Sequence, residues 1–242
     1  MEMNFEEGQV LLLDKPVGWT SFDVVNKVRQ VIKHLNKGKK VKVGHAGTLD
    51  PLASGLVIIC TGKATRKIEA MQLMEKEYMA MVEFGKTTPS YDLETDFDGE
   101  YPTVHITKDM LEEVLMRFRG TIEQVPPLYS AKHHNGERAY ELARRGESSP
   151  LRPHTVEIYK LEISSFRMPE VQLQVNCSKG TYIRSLAHDI GMACASGAYL
   201  KGLRRTAIPP YQVEDALTPA MFEEKMKNFV SNTDILRIND LL

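Results

Sequence analysis

Between Lys76 and Gly85 the chain alternates, with Tyr78, Ala80, Val82 and Phe84 falling on one side. A period of two marks a strand with one buried and one wetter face. Its neighbours along the chain do not repeat a strand–helix unit. Val10–Asp14 and Leu56–Cys60 read as apolar strands, with a helix between them opened by Ser21 and carrying Phe22, Val25, Val28, Ile32 and Leu35 at helical spacing. Further helices are expected over Ala64–Leu73, after a cap at Thr107 (with Leu111, Val114, Leu115 and Phe118 on one stripe), and at about 181–196 and 218–230. Strands are expected at about 154–166, 171–178 and 199–208. This irregular order predicts an α+β fold, a mixed and mainly antiparallel sheet with helices packed on it. Two stretches stand apart. Thr87–Pro102 is acidic and turn-rich and reads as a surface loop, while about 125–153 carries Pro126, Pro127, Pro150 and Pro153 around a helix-like piece at Glu137–Arg145 and reads as a basic excursion.

The 242 residues are 42% hydrophobic and 26% charged, enough to bury one large core or two modest ones. No window approaches the ~18 apolar residues of a membrane helix, and the acidic start is unlike a signal peptide, so a cytoplasmic protein is expected. Cys60, Cys177 and Cys194 are odd in number and widely spaced, which reads as buried thiols rather than as a disulfide framework or a zinc ribbon.

The formal charge of −1 argues, taken whole, against a polyanionic partner. Taken by segment it argues otherwise. Residues 27–67 hold ten Lys/Arg against one acid, Asp50, and residues 126–210 hold twelve against seven, whereas residues 68–125 hold thirteen acids against five bases. Screening over roughly 8 Å makes such local fields matter to a docked partner, although charge runs also occur as plain solvated faces.

Asp50 sits inside the densest unusual stretch, Gly44-His-Ala-Gly-Thr-Leu-Asp-Pro-Leu-Ala-Ser-Gly55. A carboxylate in positive surroundings stays ionised and serves as nucleophile or base. The same Asp-Pro pair is also compatible with an ordinary Asx turn. A second stretch, Cys177-Ser-Lys-Gly-Thr-Tyr-Ile-Arg184, ends a strand at Gly180 and starts a helix that Thr181 is placed to cap. Arg184 in a first helical turn opposes the dipole, so an anionic partner is expected there, whether a phosphate, a carboxylate such as Asp50, or the acid of a surface ion pair.

These stretches occur together with Leu12-Leu-Asp-Lys-Pro16, Lys76-x-Tyr78, Pro126-Pro-x-Tyr-Ser-Ala131 and Leu203-Arg-Arg205. In this order, from about residue 10 to 210, they resemble the motifs of the TruB family of tRNA pseudouridine-55 synthases. The resemblance implies a pseudouridine synthase fold with a central cleft, and isomerisation of one uridine in the T-loop of tRNA by base flipping. It implies no cofactor, no metal and no obligatory protein partner. By position, Asp50 matches the catalytic aspartate and His45 the histidine that helps hold the loop with its base everted. Tyr78 matches the tyrosine that stacks on that base, Tyr182 and Leu203 match pocket-lining residues, and Arg184 matches the arginine paired with the catalytic carboxylate. Lys15 matches the basic residue of the first motif.

Two departures are visible. About thirty residues follow Tyr211, too few for the RNA-binding PUA domain that bacterial relatives commonly carry, so residues 1–242 are expected to form a single catalytic domain with a short extension at 211–242. The acidic turn after the tyrosine strand departs from the family's pattern, and no role is assigned to Asp92. Three alternatives to a stand-alone tRNA enzyme are an RNA-binding or tRNA-folding module, the guide-RNA-dependent branch of the same family, and a metal-dependent hydrolase. The first has no need of Asp50, the second relies on a PUA region, and the third lacks a ligand cluster at suitable spacing.

Overall fold

The computed structural model describes residues 4–36, 38–129, 133–134, 137–138 and 152–228. In chain order its strands are β1 (Val10–Lys15), β2 (Val43–His45), β3 (Ala53–Thr61), β4 (Lys76–Phe84), β5 (Lys86–Thr87), β6 (Gly99–Glu100), β7 (Gly120–Gln124), β8 (His133–His134), β9 (Glu137–Arg138), β10 (His154–Arg167), β11 (Glu170–Cys177), β12 (Ala198–Ile208) and β13 (Tyr211–Gln212). The helices are α1 (Ser21–Leu35), α2 (Ile68–Gln72), α3 (Lys108–Met116), α4 (Ile183–Ala193) and α5 (219–228). The chain divides into two compact units, residues 1–74 with 205–242, and residues 75–204.

In the first unit β3 is the spine. β1 runs antiparallel to it from Val10↔Cys60 to Lys15↔Gly55, and β2 pairs at its far end through His45↔Ile59. Leu56, Ile58 and Cys60 point into a core with Ala46, Ala64, Met71, Ile208 and Val213. α1 contributes Val24, Val25, Val28, Val31 and Ile32, all buried. Thr20, rather than Ser21, is the N-cap: Thr20 accepts from the Asp23 amide while Asp23 accepts from the Thr20 amide, a reciprocal capping box. Ser21 is buried, its hydroxyl exchanging hydrogen bonds with the Leu49 main chain at 2.8 and 3.2 Å. Phe22 is 57% exposed instead of facing the core, with the Arg29 guanidinium 5.5 Å from its ring centre. The helix expected over Ala64–Leu73 is a 3₁₀ turn at Gly62–Lys67 followed by the short α2.

In the second unit the alternation of β4 is realised residue by residue, Tyr78, Ala80, Val82 and Phe84 being buried. β4 pairs antiparallel with β11 (Tyr78↔Val175), β11 with β10 and β10 with β7. Two isolated bridges, Leu13–Leu217 in the first unit and Asp92–Leu200 in the second, are parallel. The architecture is therefore α+β with a mainly antiparallel sheet. Tyr182, not Thr181, is the N-cap of α4 and makes no side-chain cap, because the Thr181 hydroxyl donates back to the Ser178 carbonyl at 2.9 Å.

Thr87–Pro102 is not a plain surface loop. Thr87, Thr88, Ser90 and Asp92 are buried, and β5 pairs with β6 across the stretch. Polar residues tolerate this burial because they satisfy one another, Thr88 and Ser90 hydroxyls both donating to the Asp92 carbonyl. Glu137–Arg138 forms a strand with His133–His134 where a helical piece was expected, and most of the 125–153 excursion, like 229–242, lies outside the described residues. Among the described residues no helix is long and apolar enough to cross a membrane, and the three cysteines are free and buried.

Candidate active site

Three of the expected site residues lie in the first unit around the loop that joins β2 to β3. Lys15, at the end of β1, is 0% exposed. Its ammonium donates to the carbonyls of Trp19 (2.6 Å), Ala53 (2.5 Å) and Pro16 (3.0 Å), with Pro51 at 3.4 Å. Burial lowers its pKa to about 8, the Arg205 charge adds to this, and Asp50 and Asp23 oppose it. It remains charged near neutrality and ties the Pro16–Trp19 turn to the residues that follow Asp50. The Ala53 amide donates to the Asp50 carbonyl at 3.0 Å, closing a turn around Pro51.

Arg205 braces the other half of the loop. It is buried, and its guanidinium donates to Leu56 (2.7 Å), Gly47 (3.3 Å) and Thr48 (3.4 Å) carbonyls. Two glycines make this possible. Gly47 has φ +101°, and a Cβ on Gly55 would lie 2.2 Å from the Arg205 carbonyl oxygen, so only glycine fits where β3 passes β12. His45 enters the loop from β2. Burial, aided by the Arg205 charge, lowers its pKa, and a hydrogen bond with the Gly47 main chain opposes that shift. Its imidazole is thus neutral at physiological pH.

The remaining expected residues lie in the second unit. Tyr78 is buried two residues inside the end of the β4/β11 pair at which Cys177 faces Lys76, and the chain turns there through Gly180 to Tyr182 and Arg184. Tyr182 is half-buried and fixed by Gln124. The Gln124 side chain accepts from the Tyr182 amide at 2.8 Å and donates to its carbonyl at 3.0 Å. The His154 ring meets the Tyr182 ring edge-on at 6.1 Å. Leu203 is half-buried on β12. Arg184 is buried, its Nη1 3.6 Å from the Asp92 carboxylate and 3.3 Å from the Ser90 carbonyl. An anionic partner for Arg184 is therefore present in Asp92, a residue to which the sequence assigned nothing.

Three contributors escaped the sequence reading. Arg205 lay inside a quoted motif without a role, Asp92 was one acid of a run, and Gln124 carried no signal. The first unit also presents an open cavity of about 520 Å³ lined by Glu6, Lys39, Lys40, Val41, Lys42 and Gly62. Among the described residues there is no group of three or more His, Cys, Asp or Glu suited to a metal ion.

The fold is that of the pseudouridine synthases. A solved Cbf5-Nop10-Gar1 complex matches with TM-score 0.67 and 32% identity over 88% of this chain, which spans about half (53%) of that longer chain. The description "TruB family pseudouridylate synthase (N terminal domain)" covers residues 33–183. The tRNA pseudouridine synthase B of Phocaeicola vulgatus is 54% identical over 92% of this chain and 94% of its own length, and that of Bacteroides fragilis 52% identical over 92% and 95%. The chain belongs to the TruB family.

Proposed function

We propose that this protein isomerises uridine to pseudouridine in tRNA, at position 55 in the T-loop, as a stand-alone cytoplasmic enzyme that requires no cofactor or metal. The observation that carries the reading is the Asp50 loop, a single carboxylate in a strongly basic segment, held in shape from both sides by two buried cations, Lys15 and Arg205. A module that only binds RNA has no use for such a group. The relatives named tRNA pseudouridine synthase B, over half identical across nearly their whole length, support the choice of tRNA.

The reaction breaks the N1–C1′ bond, turns the uracil within the site and rejoins it through C5, the C5 proton passing out as the new carbon–carbon bond is completed. The base must leave its stack and be trapped while detached, and stacking on aromatic rings returns roughly 1–3 kcal/mol per base against the cost of extrusion. Tyr78 supplies such a ring, Tyr182 and Leu203 line the pocket, and His45 helps hold the loop with its base everted. Asp50 attacks C6 of the ring or C1′ of the ribose, or assists loss of the C2′ proton. Arg184 supplies a guanidinium to orient the reacting carboxylate. The basic 27–67 and 126–210 segments track phosphates, and the 125–153 excursion serves as a clamp. Incubating the purified protein with unmodified tRNA and mapping pseudouridine by position tests the reading: modification confined to the T-loop uridine is expected, and its absence overturns it.

A further inference from the structure

Tyr91 has φ +63°, a left-handed conformation that an aromatic residue rarely adopts. Such a conformation persists only where the surroundings over-determine it. Here the Tyr91 amide donates to the Thr88 carbonyl at 3.1 Å and its carbonyl accepts from the Leu200 amide at 2.9 Å. Its ring lies flat on His188, centroids 4.0 Å apart and planes within 15°. The strained turn has a geometric consequence. In extended backbone, consecutive side chains point to opposite faces, whereas the turn at Tyr91 lets Tyr91 and Asp92 both address α4. They do so one helical turn apart, Asp92 at Arg184 and Tyr91 at His188, four residues further on.

We propose that the Tyr91–His188 stack is a positioning device that sets where Asp92 stands and hence where Arg184 presents its guanidinium for the reaction. The inference rests on the proposed pseudouridine synthesis and adds to it two residues that no motif pointed to. The stack suits the task. The ion pair at 3.6 Å is longer than a tight charge-assisted hydrogen bond. Its geometry therefore depends on what holds the 88–92 segment against the helix. Burial lowers the His188 pKa, leaving a neutral ring over the phenol, and a flat contact between two uncharged rings is favourable without demanding a third partner.

The test uses the full chain and unmodified tRNA. Tyr91→Gly is the informative variant because glycine accepts the same φ, so the turn is kept while the ring is removed. Tyr91→Gly and His188→Ala are each expected to lower the single-turnover rate about tenfold while tRNA affinity stays within about twofold, and Tyr91→Phe, which keeps the ring, to restore the rate. Leu93→Ala, an exposed neighbour, serves as the control. In an Asp92→Asn background Tyr91→Gly is expected to cost no more than about twofold further, because its effect has been removed already. A wild-type rate for Tyr91→Gly, a loss confined to affinity, or a loss that adds in full to that of Asp92→Asn overturns the inference. An activity-independent arm separates it from the functional reading: the Arg184 side-chain Nε–H resonance is expected to move in Tyr91→Gly as it does in Asp92→Asn. If the wild type makes no pseudouridine the functional reading fails, and an unmoved Arg184 resonance overturns the positioning role on its own.

Discussion

Each unit holds a candidate site segment with a buried cation, but the cations are satisfied differently. Around Asp50 the charges of Lys15 and Arg205 are met by main-chain carbonyls, from Pro16, Trp19 and Ala53 in one case and from Gly47, Thr48 and Leu56 in the other. Around Tyr91 the charge of Arg184 is met by the Asp92 carboxylate and the Ser90 carbonyl. A cation bonded to carbonyls from several points of a loop dictates its shape. A cation paired with a carboxylate instead has its direction set by that partner. The first arrangement builds a rigid presentation of Asp50, and the second an aim for Arg184 that its partner sets.

The largest expected effect is at the group the first loop presents. Asp50→Asn should lower product formation by about a thousandfold or more with folding and tRNA binding nearly intact; near wild-type pseudouridine in a mapped digest would remove Asp50 from the chemistry. Next comes the frame. Lys15→Met leaves several carbonyls buried without a donor and should cost about 3–5 kcal/mol of stability, read from denaturant midpoints. Asp92→Asn, which breaks only the second arrangement, should cost less stability than Lys15→Met, and equal losses would erase the contrast drawn between the two segments.

A smaller effect is expected on the basic surface of the first unit. Charge reversal at Lys39, Lys40 and Lys42 should weaken tRNA binding and reduce its salt slope by about two to three, and an unchanged slope would take this face out of the footprint. The smallest concerns Asp189, whose carboxyl burial pushes up to about 6. A carboxyl raised on folding contributes stability that is complete below its unfolded pKa of about 3.9 and is lost as pH rises through about 6. Asp189→Asn should therefore raise stability by about 1 kcal/mol at pH 7.5, allowing for partial solvent access, and by nearly nothing at pH 4. Melting curves across that range check the sign.

Much of this was legible in the chain itself. The alternation at Tyr78–Phe84, the apolar β3 and the dense loop around Asp50 are local patterns in which side-chain period reports burial directly. Ser21 and Thr181 have the residue type of caps but do not cap, because each hydroxyl has another partner, Leu49 for one and the Ser178 carbonyl for the other, and sequence spacing does not choose between acceptors. The acidic 87–102 stretch differs from its expected exposure for the opposite reason. Its polarity marked it as surface, yet Asp92 is buried because Arg184, 92 residues away, compensates its charge.

The sequence by itself determined the α+β class and the family, and it singled out the carboxylate on which the proposed chemistry rests, since each is carried by residue types at short and fixed spacing. Only the tertiary structure decided which cations brace Asp50, that Gln124 fixes Tyr182, and that Tyr91 turns against its own preference to stack on His188. These depend on groups distant along the chain meeting in buried surroundings, where each polar atom must find a partner and no local pattern records which one it finds.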